Sequence, residues 1–295
     1  MDEASLPVVI CEIEGVRNFV LEARRRGEKV GLVPTMGAFH EGHLSLVRAA
    51  KKENDVVIVS IFVNPMQFSP GEDLESYPRD LESDLAQLTD LAVEAVFTPP
   101  DEVMYPSGSV LTCVEPQSIS NNLCGLSRPG HFRGVCTVVS KLFNIIPADS
   151  AYFGRKDAQQ AAIIQQMTYD LDFPIHIVVC PIVREPDGLA LSSRNYYLNE
   201  EERVQAVALF RSLKYARDMI DKGERDCRPI IEGMREFFDS LDLVEPEYVS
   251  IVHPRSIDDL DRISSTALVA VAAQVGNARL IDNMLVDVKS GTFEL

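Results

Sequence analysis

Short continuous apolar runs alternate with stretches of helical period over the first 180 residues of the chain. Lys29 to Pro34 (KVGLVP) is one such run, and Leu44 to Lys52 (LSLVRAAKK) follows with helical spacing and cations at its end. Val56 to Val63 (VVIVSIFV) is β-branched and nearly uninterrupted, the pattern of a strand buried on both faces. Asp80 to Leu91 carries Leu at 81, 85, 88 and 91 with acids in its first turn, an amphipathic helix. Ala95 to Thr98, Val110 to Val114 and Ala151 to Phe153 read as short strands. Val135 to Ile146 and Ala158 to Leu171 read as helices, and Ile175 to Val183 as a further buried strand. Such alternation predicts an α/β fold with a mainly parallel sheet and right-handed crossovers.

The texture changes after Arg184. A loop-like stretch (EPDGLALSSRN) leads into a long charged helix, Glu200 to Lys222, and a second helix near Pro229 to Leu241. Three strand-like segments follow, Tyr248 to Val252, Ala267 to Val275 and Leu280 to Val286, with GNAR (Gly276 to Arg279) as a hairpin turn between the last two. Helices followed by antiparallel strands predict a smaller α+β domain. The expected division is therefore 1–184 and 185–295.

Composition narrows the partners. The chain has 295 residues and a formal net charge of −17, a field that repels nucleic acid and anionic membrane surfaces. Its strongest apolar runs, Val56 to Val63 and Ala267 to Val275, fall far short of the roughly 20 residues that span a bilayer. The acidic N-terminus lacks the basic and apolar regions of a signal peptide. Six cysteines have no CxxC pair and no metal-finger spacing, as expected of reduced thiols in a cytoplasmic protein.

The first candidate chemistry is PTMGAFHEGHLSL, Pro34 to Leu46. It leaves an apolar strand and opens a helix, where backbone NH groups and the helix dipole favour a phosphate. His40 and His43 lie three apart with Gly42 between them, so both imidazoles can address one anion and the charge that builds on it. A zinc-protease reading fails because HExxH would require His at position 44, which is Leu. The bland alternative is a pair of surface histidines at a helix cap. HxGH in this setting is the signature of nucleotidyl transferases and class I aminoacyl-tRNA synthetases, which implies a Rossmann-like parallel-sheet domain.

Longer strings sharpen the resemblance. FVNPMQF (Phe62 to Phe68), YPRD (Tyr77 to Asp80), RPGHFRGVCTVVSKLFNI (Arg128 to Ile145), YFGRKDAQQ (Tyr152 to Gln160), DGLALSSRN (Asp187 to Asn195) and LIDN (Leu280 to Asn283) follow PTMGAFHEGH in order. Together they resemble the pantothenate synthetase family across both halves of the chain. That resemblance implies an ATP-dependent acid–amine ligase of pantothenate and coenzyme A biosynthesis. Pantoate is adenylated with release of pyrophosphate, and β-alanine then displaces AMP. It also implies Mg²⁺, a homodimer, and a C-terminal domain that acts as a lid. The alternatives are another adenylyl or cytidylyl transferase built on the same device, and a non-catalytic nucleotide-binding module.

Candidate residues follow motif by motif. By resemblance Met36, Gly37, Ala38, Phe39, His40, Glu41, Gly42 and His43 form an ATP-binding stretch, with His43 the proton donor and His40 its companion. Asn64 and Gln67 lie at the expected carboxyl end of a strand, where ligands sit in open parallel sheets; they are neutral, suited to a hydroxy acid, and Gln67 matches a pantoate and β-alanine contact. Phe62 and Phe68 can wall the gem-dimethyl group. Gly154, Arg155, Lys156 and Asp157 continue the ATP site, with Lys156 a mobile cation for shifting phosphate charge and Asp157 a ribose contact or helix cap. Arg155 stands where many members carry Glu. Gln160 matches a pantoate ligand, and Val183 a backbone contact to adenine. Leu191, Ser192, Ser193 and Arg194 can clamp phosphates on lid closure. Asp84 and Gln87, one helical turn apart, match the Mg²⁺ region. Arg133 is a candidate for pantoate or phosphate, or for a salt bridge at the helix entry. The net charge of −17 then implies an acidic surface around a small basic pocket of Arg133, Arg155, Lys156, Arg184 and Arg194.

Overall fold

Six parallel strands, β1 (Val8–Ile10), β2 (Val30–Thr35), β3 (Val56–Ile61), β4 (Ala95–Phe97), β5 (Ser150–Gly154) and β6 (His176–Cys180), form one sheet in the order β1-β4-β3-β2-β5-β6. The computed structural model describes residues 6–108 and 110–295; residues 1–5 of the N-terminal stretch read above for targeting lie outside them. Residues 30–35 pair one for one with 56–61, so the two most apolar runs of the first half sit together at the centre of the sheet. The helix Glu41–Glu53 turns Leu46, Val47 and Ala50 inward onto Val33, Val57, Val59 and Tyr152. The order reverses between β2 and β5, and in such sheets ligands bind beyond the carboxyl ends of the strands at that switch.

A second sheet is antiparallel, with β7 (Val244–Val252), β8 (Thr266–Val275), β9 (Ala278–Asp287) and β10 (Thr292–Glu294) in the order β10-β9-β8-β7. Gly276 and Asn277 turn the hairpin between β8 and β9, as expected from GNAR. The helices Ala208–Asp221 and Cys227–Arg235 bury Leu209, Leu213, Ile220, Ile230 and Met234 against one face of this sheet.

The chain divides into two compact units, but not by one cut at 184. The first comprises 1–117, 125–154 and 163–180; the second comprises 118–124, 155–162 and 181–295. The reason is β8, whose apolar run is buried on both faces. Val269, Val271 and Ala273 face the helices, while Leu268 and Ala270 need a second cover, which Leu123 and Ala162 provide. The Gln159 amide donates to the carbonyls of Ile119 and Asn122 (3.1 and 2.8 Å), joining the two inserted segments to each other.

Two local expectations are corrected. Val110 to Val114 forms no strand, and Leu111 is 95% exposed, so this apolar run has no partner strand to bury it among the described residues. The long helix from Glu200 is interrupted at Val207, giving Glu200–Ala206 and Ala208–Asp221. No helix among the described residues is long and apolar enough to cross a membrane.

Candidate active site

β2 ends at Thr35, and the loop from Met36 to Phe39 carries the chain into the helix Glu41–Glu53. His40 is the N-cap of that helix, its Nδ1 accepting the Gly42 N–H at 3.1 Å. An imidazole accepting at Nδ1 presents Nε2 as the donor of the neutral ring. His43, one turn on, stacks on His40 with ring centroids 4.1 Å apart and meets Phe39 edge-on at 5.7 Å. One histidine thus caps the helix, and the same geometry brings both rings together. The helix start is less open to an anion than the motif suggests. The Gly42 N–H goes to the His40 ring, and those of His43 and Leu44 go to the His40 carbonyl (2.8 and 3.1 Å).

The loop before the cap holds an unusual backbone. Gly37 and Ala38 both have positive φ (83° and 53°), and at Ala38 that conformation is costly for a residue with a Cβ. The Asp84 carboxylate holds it in place by accepting the N–H groups of Ala38 (3.0 Å) and Phe39 (2.8 Å). A Cβ at residue 37 would come within 2.7 Å of that same carboxylate, so glycine is required twice over. Burial pushes the Asp84 carboxyl above its ordinary value, against the pull of the two backbone donors. Asp84 is 2% exposed. The Gln87 amide donates back to the Ser83 carbonyl of its own helix at 3.4 Å. These two residues do not fit the direct Mg²⁺ ligands expected of them: one is a buried brace, and the other is turned to the backbone. No cluster of three or more His, Cys, Asp or Glu with metal-binding geometry exists among the described residues.

Gln67 closes a three-residue 3-10 turn, Pro65–Gln67, that follows β3. Behind it runs a polar chain. The Tyr105 hydroxyl donates to Asn64 Oδ1 (2.7 Å), and Asn64 Nδ2 donates to the Gly134 carbonyl (3.1 Å) and to Gln67 Oε1 (3.2 Å). Gln67 Nε2 is thereby left on the other side, 3.1 Å from Met36 Sδ in the histidine loop. Asn64 is 1% exposed, and its amide orients Gln67. The turn is also clamped from outside. His131 Nδ1 lies 2.8 Å from the Gln67 carbonyl, and Arg128 reaches the same oxygen at 3.4 Å while forming a forked pair with Glu72 (2.7 Å twice). At Gly134 the helix His131–Ile145 packs so closely that a Cβ would lie 2.3 Å from the Met66 carbonyl oxygen and 2.7 Å from Gln67 Cα. Arg133, by contrast, is exposed on that helix. A cavity of about 300 Å³ opens beside this turn, lined by Met36, Phe62, Pro65, Arg79, Asp84 and Thr98 among others.

The Glu72–Arg128 clamp has a pH signature. Burial raises the Glu72 carboxyl, but the hydrogen bond and charge of Arg128 outweigh it, and the net shift is below the ordinary value of 4.5. A depressed carboxylate contributes stability above its unfolded value and loses it as pH falls through the folded one. Glu72→Gln is therefore expected to cost about 1–2 kcal/mol at neutral pH. In thermal melts the gap from wild type should close as pH drops below 4.5. A gap that stays constant down to pH of about 3 would show that the pair does not titrate as the geometry requires.

In the second unit, Arg155–Asp157 forms a 3-10 turn directly after β5, whose last residue is Gly154. Lys156 Nζ lies 3.5 Å from Asp157 Oδ2, and Gln160 is half-buried in the first turn of the following helix. Arg155 is paired with Glu294 on β10. Arg184 is paired with Asp282 (2.7 and 2.9 Å). The expected basic pocket is thus thinner than its residue count, since Arg155 and Arg184 are neutralised within the unit and Arg133 lies exposed in the other. Leu191 donates to the Val183 carbonyl at 3.0 Å, Ser192 caps the turn Ser193–Tyr197 by accepting the Arg194 N–H at 3.2 Å, and Ser193 is buried.

A family profile described as pantoate-beta-alanine ligase matches residues 8–285. The chain belongs to that ligase family. Among its relatives, the pantothenate synthetase of Thermoanaerobacter pseudethanolicus is 54% identical over 278 residues, covering 94% of this chain and 98% of that protein. The crystal structure of pantothenate synthetase from Thermus thermophilus superposes with a TM-score of 0.89 at 41% identity, covering 95% of this chain and 99% of that one. The pantoate-beta-alanine ligase of Francisella tularensis, complexed with β,γ-ATP and β-alanine, gives 0.78 at 34% identity, covering 96% and 98%.

Within this family frame, the structure brings Met36–His43, Asn64, Gln67 and Asp84 together in the first unit, and Arg155–Asp157, Gln160, Val183 and Leu191–Arg194 in the second. The sequence patterns did not single out Arg128, Glu72 or Tyr105, which hold the Gln67 turn and its amide in place. One signal pointed to the first of these: Arg128 and His131 flank Pro and Gly in RPGH, three residues apart, so a helix starting at His131 leaves both beside its N-terminus while Arg133 is carried round to the outside.

Proposed function

We propose that the chain condenses (R)-pantoate with β-alanine at the expense of ATP, through a pantoyl adenylate. The observation that carries this reading is the junction at the end of β2. There a stacked histidine pair and a pre-oriented neutral amide, Gln67, meet through Met36 in one loop system. A carboxylate is a poor acylating agent because its leaving group would be oxide. Adenylation solves this: a pantoate carboxylate oxygen attacks the α-phosphorus, the bond to the β-phosphate oxygen breaks, and pyrophosphate leaves with the electron pair. The β-alanine amine then attacks the acyl carbon, AMP departs, and the new amide nitrogen releases its proton.

Two anions must meet in the first step, so donors and cations offset their repulsion. His43 and His40 donate to the phosphate oxygens on which charge grows. Lys156, Ser192, Ser193 and Arg194 hold the phosphates, with Gly154, Asp157, Val183 and Leu191 lining the nucleotide. Gln67 and Gln160 bind pantoate, with Phe62 and Phe68 beside its methyl groups. Mg²⁺, entering with ATP, would offset the negative charge of the phosphates. The second unit serves as the lid that keeps water from the adenylate. The enzyme works as a homodimer in the cytoplasm, a setting that suits six cysteines without a disulfide.

ATP–pyrophosphate exchange tests the reading. Exchange should require pantoate, and adding β-alanine should yield pantothenate and AMP in equal amounts. Exchange that runs equally well without pantoate would overturn the ligase assignment in favour of a different nucleotidyl transfer.

A further inference from the structure

The LIDN segment, Leu280 to Asn283, breaks the pattern of its own strand. β9 is an apolar core strand, with Leu280, Met284 and Val286 in the main cluster of the second unit. At its centre stand two polar residues, Asp282 and Asn283, only 3% and 2% exposed. Burying a charge and an amide is unfavourable unless each is bonded. A buried ion pair is no better a stabiliser than apolar residues of the same volume. The question is therefore what these two residues hold.

Their partners answer it. Asn283 Nδ2 donates to two successive carbonyls, those of Arg155 (3.0 Å) and Lys156 (2.9 Å), and so pins both peptides of the turn that carries Lys156. The amide cannot be reversed, since its oxygen would then face two carbonyl oxygens; its buried Oδ1 has no hydrogen-bond partner among the described residues. Asp282 makes the forked pair with Arg184 and also accepts the Asn283 N–H at 2.8 Å, so the two side chains share one rigid stretch of backbone. Arg184 in turn donates to the Gly188 carbonyl at 3.0 Å and lies over the Phe210 ring at 4.7 Å. It stands at the base of the hairpin closed by the Arg184–Ala190 bridge and the Leu191-to-Val183 bond, which delivers Ser192 to Arg194.

We propose that Asp282 and Asn283 are positioning residues for phosphate chemistry: Asn283 sets the Lys156 turn, and Asp282, through Arg184, sets the hairpin leading to Ser192–Arg194. One dipeptide on a core strand thereby fixes two segments that are distant in sequence, the Arg155–Asp157 turn and the hairpin from Arg184, and that lead to residues acting on the same phosphates. The inference rests on the functional reading above, because it presumes that Lys156 serves ATP.

The test uses Asn283→Ala and Asn283→Ser in the full chain, each alone and combined with Lys156→Ala, assayed by pantoate-dependent ATP–pyrophosphate exchange. A 1 Å displacement of a reacting group can cost up to about a hundredfold, so kcat should fall about tenfold or more in Asn283→Ala. KM for pantoate should stay within about twofold. Asn283→Ser, which keeps one donor, should fall between, and carries the comparison should the alanine variant fail to show a cooperative thermal transition. In the Lys156→Ala background the Asn283 substitutions should cost less than about twofold more, since they act through Lys156. A wild-type kcat in both variants overturns the proposal. So does a loss that multiplies undiminished on Lys156→Ala, or one that appears equally in pantoate KM. If the wild-type chain shows no pantoate-dependent exchange, the functional reading fails first and this inference falls with it.

Discussion

His43→Ala is expected to lower the rate of pantoate-dependent ATP–pyrophosphate exchange by about 2–4 kcal/mol of transition-state stabilisation, the range for one lost donor at a developing oxyanion. KM for ATP should change little, because the ring's contribution grows only as charge moves onto the phosphates. The neighbouring substitution needs more care. His40 caps the helix Glu41–Glu53 through its Nδ1, so His40→Ala confounds a lost donor with a lost cap, typically about 1 kcal/mol of stability. His40→Asn separates them, since asparagine caps a helix well but offers no imidazole. An exchange rate in His43→Ala equal to wild type would reduce the pair to a helix cap and its stacking partner.

Gly134→Ala should have the second-largest effect, although the residue bears no functional group. Its Cβ would lie 2.3 Å from a backbone oxygen of the Pro65–Gln67 turn, a clash that no rotamer change relieves. Either the helix His131–Ile145 or the turn must shift, and the turn carries Gln67. Overpacking of this kind costs about 1–3 kcal/mol of stability. A displacement of order 1 Å at Gln67 costs up to about a hundredfold in kcat/KM for pantoate. The loss should fall on pantoate and not on KM for ATP. Unchanged pantoate kinetics would mean that the turn absorbs the shift without moving its amide.

How much of this was legible follows from the range of the interactions involved. The parallel sheet and the histidine pair were readable because both are local: a short apolar run marks β2, a nearly unbroken β-branched run marks β3, and the HxGH spacing puts both rings at one helix start. Asp84's hold on the histidine loop was not readable in the sequence, because it depends on two N–H groups 45 and 46 residues away. The boundary at 184 failed for a similar reason. The segment 155–162 belongs to the second unit through Asn283 and Leu268, and no composition shift announces a contact of that length. That Arg128 reaches the Gln67 turn while Arg133 is exposed is a matter of helical phase, which turns on where the helix begins. At Val110 to Val114 the residues have strand character, yet a strand exists only with a neighbour to bond.

The brace beneath the histidine loop bears on protein design. The stretch from Pro34 to Leu46 looks portable, a strand end, a turn and a helix start in thirteen residues. Grafted alone onto another α/β scaffold, it would bring both imidazoles but leave Gly37 and Ala38 without the carboxylate that holds their left-handed backbone. The transferable module is β2 and its helix together with the helix Leu81–Asp90, docked so that Asp84 lies under the loop.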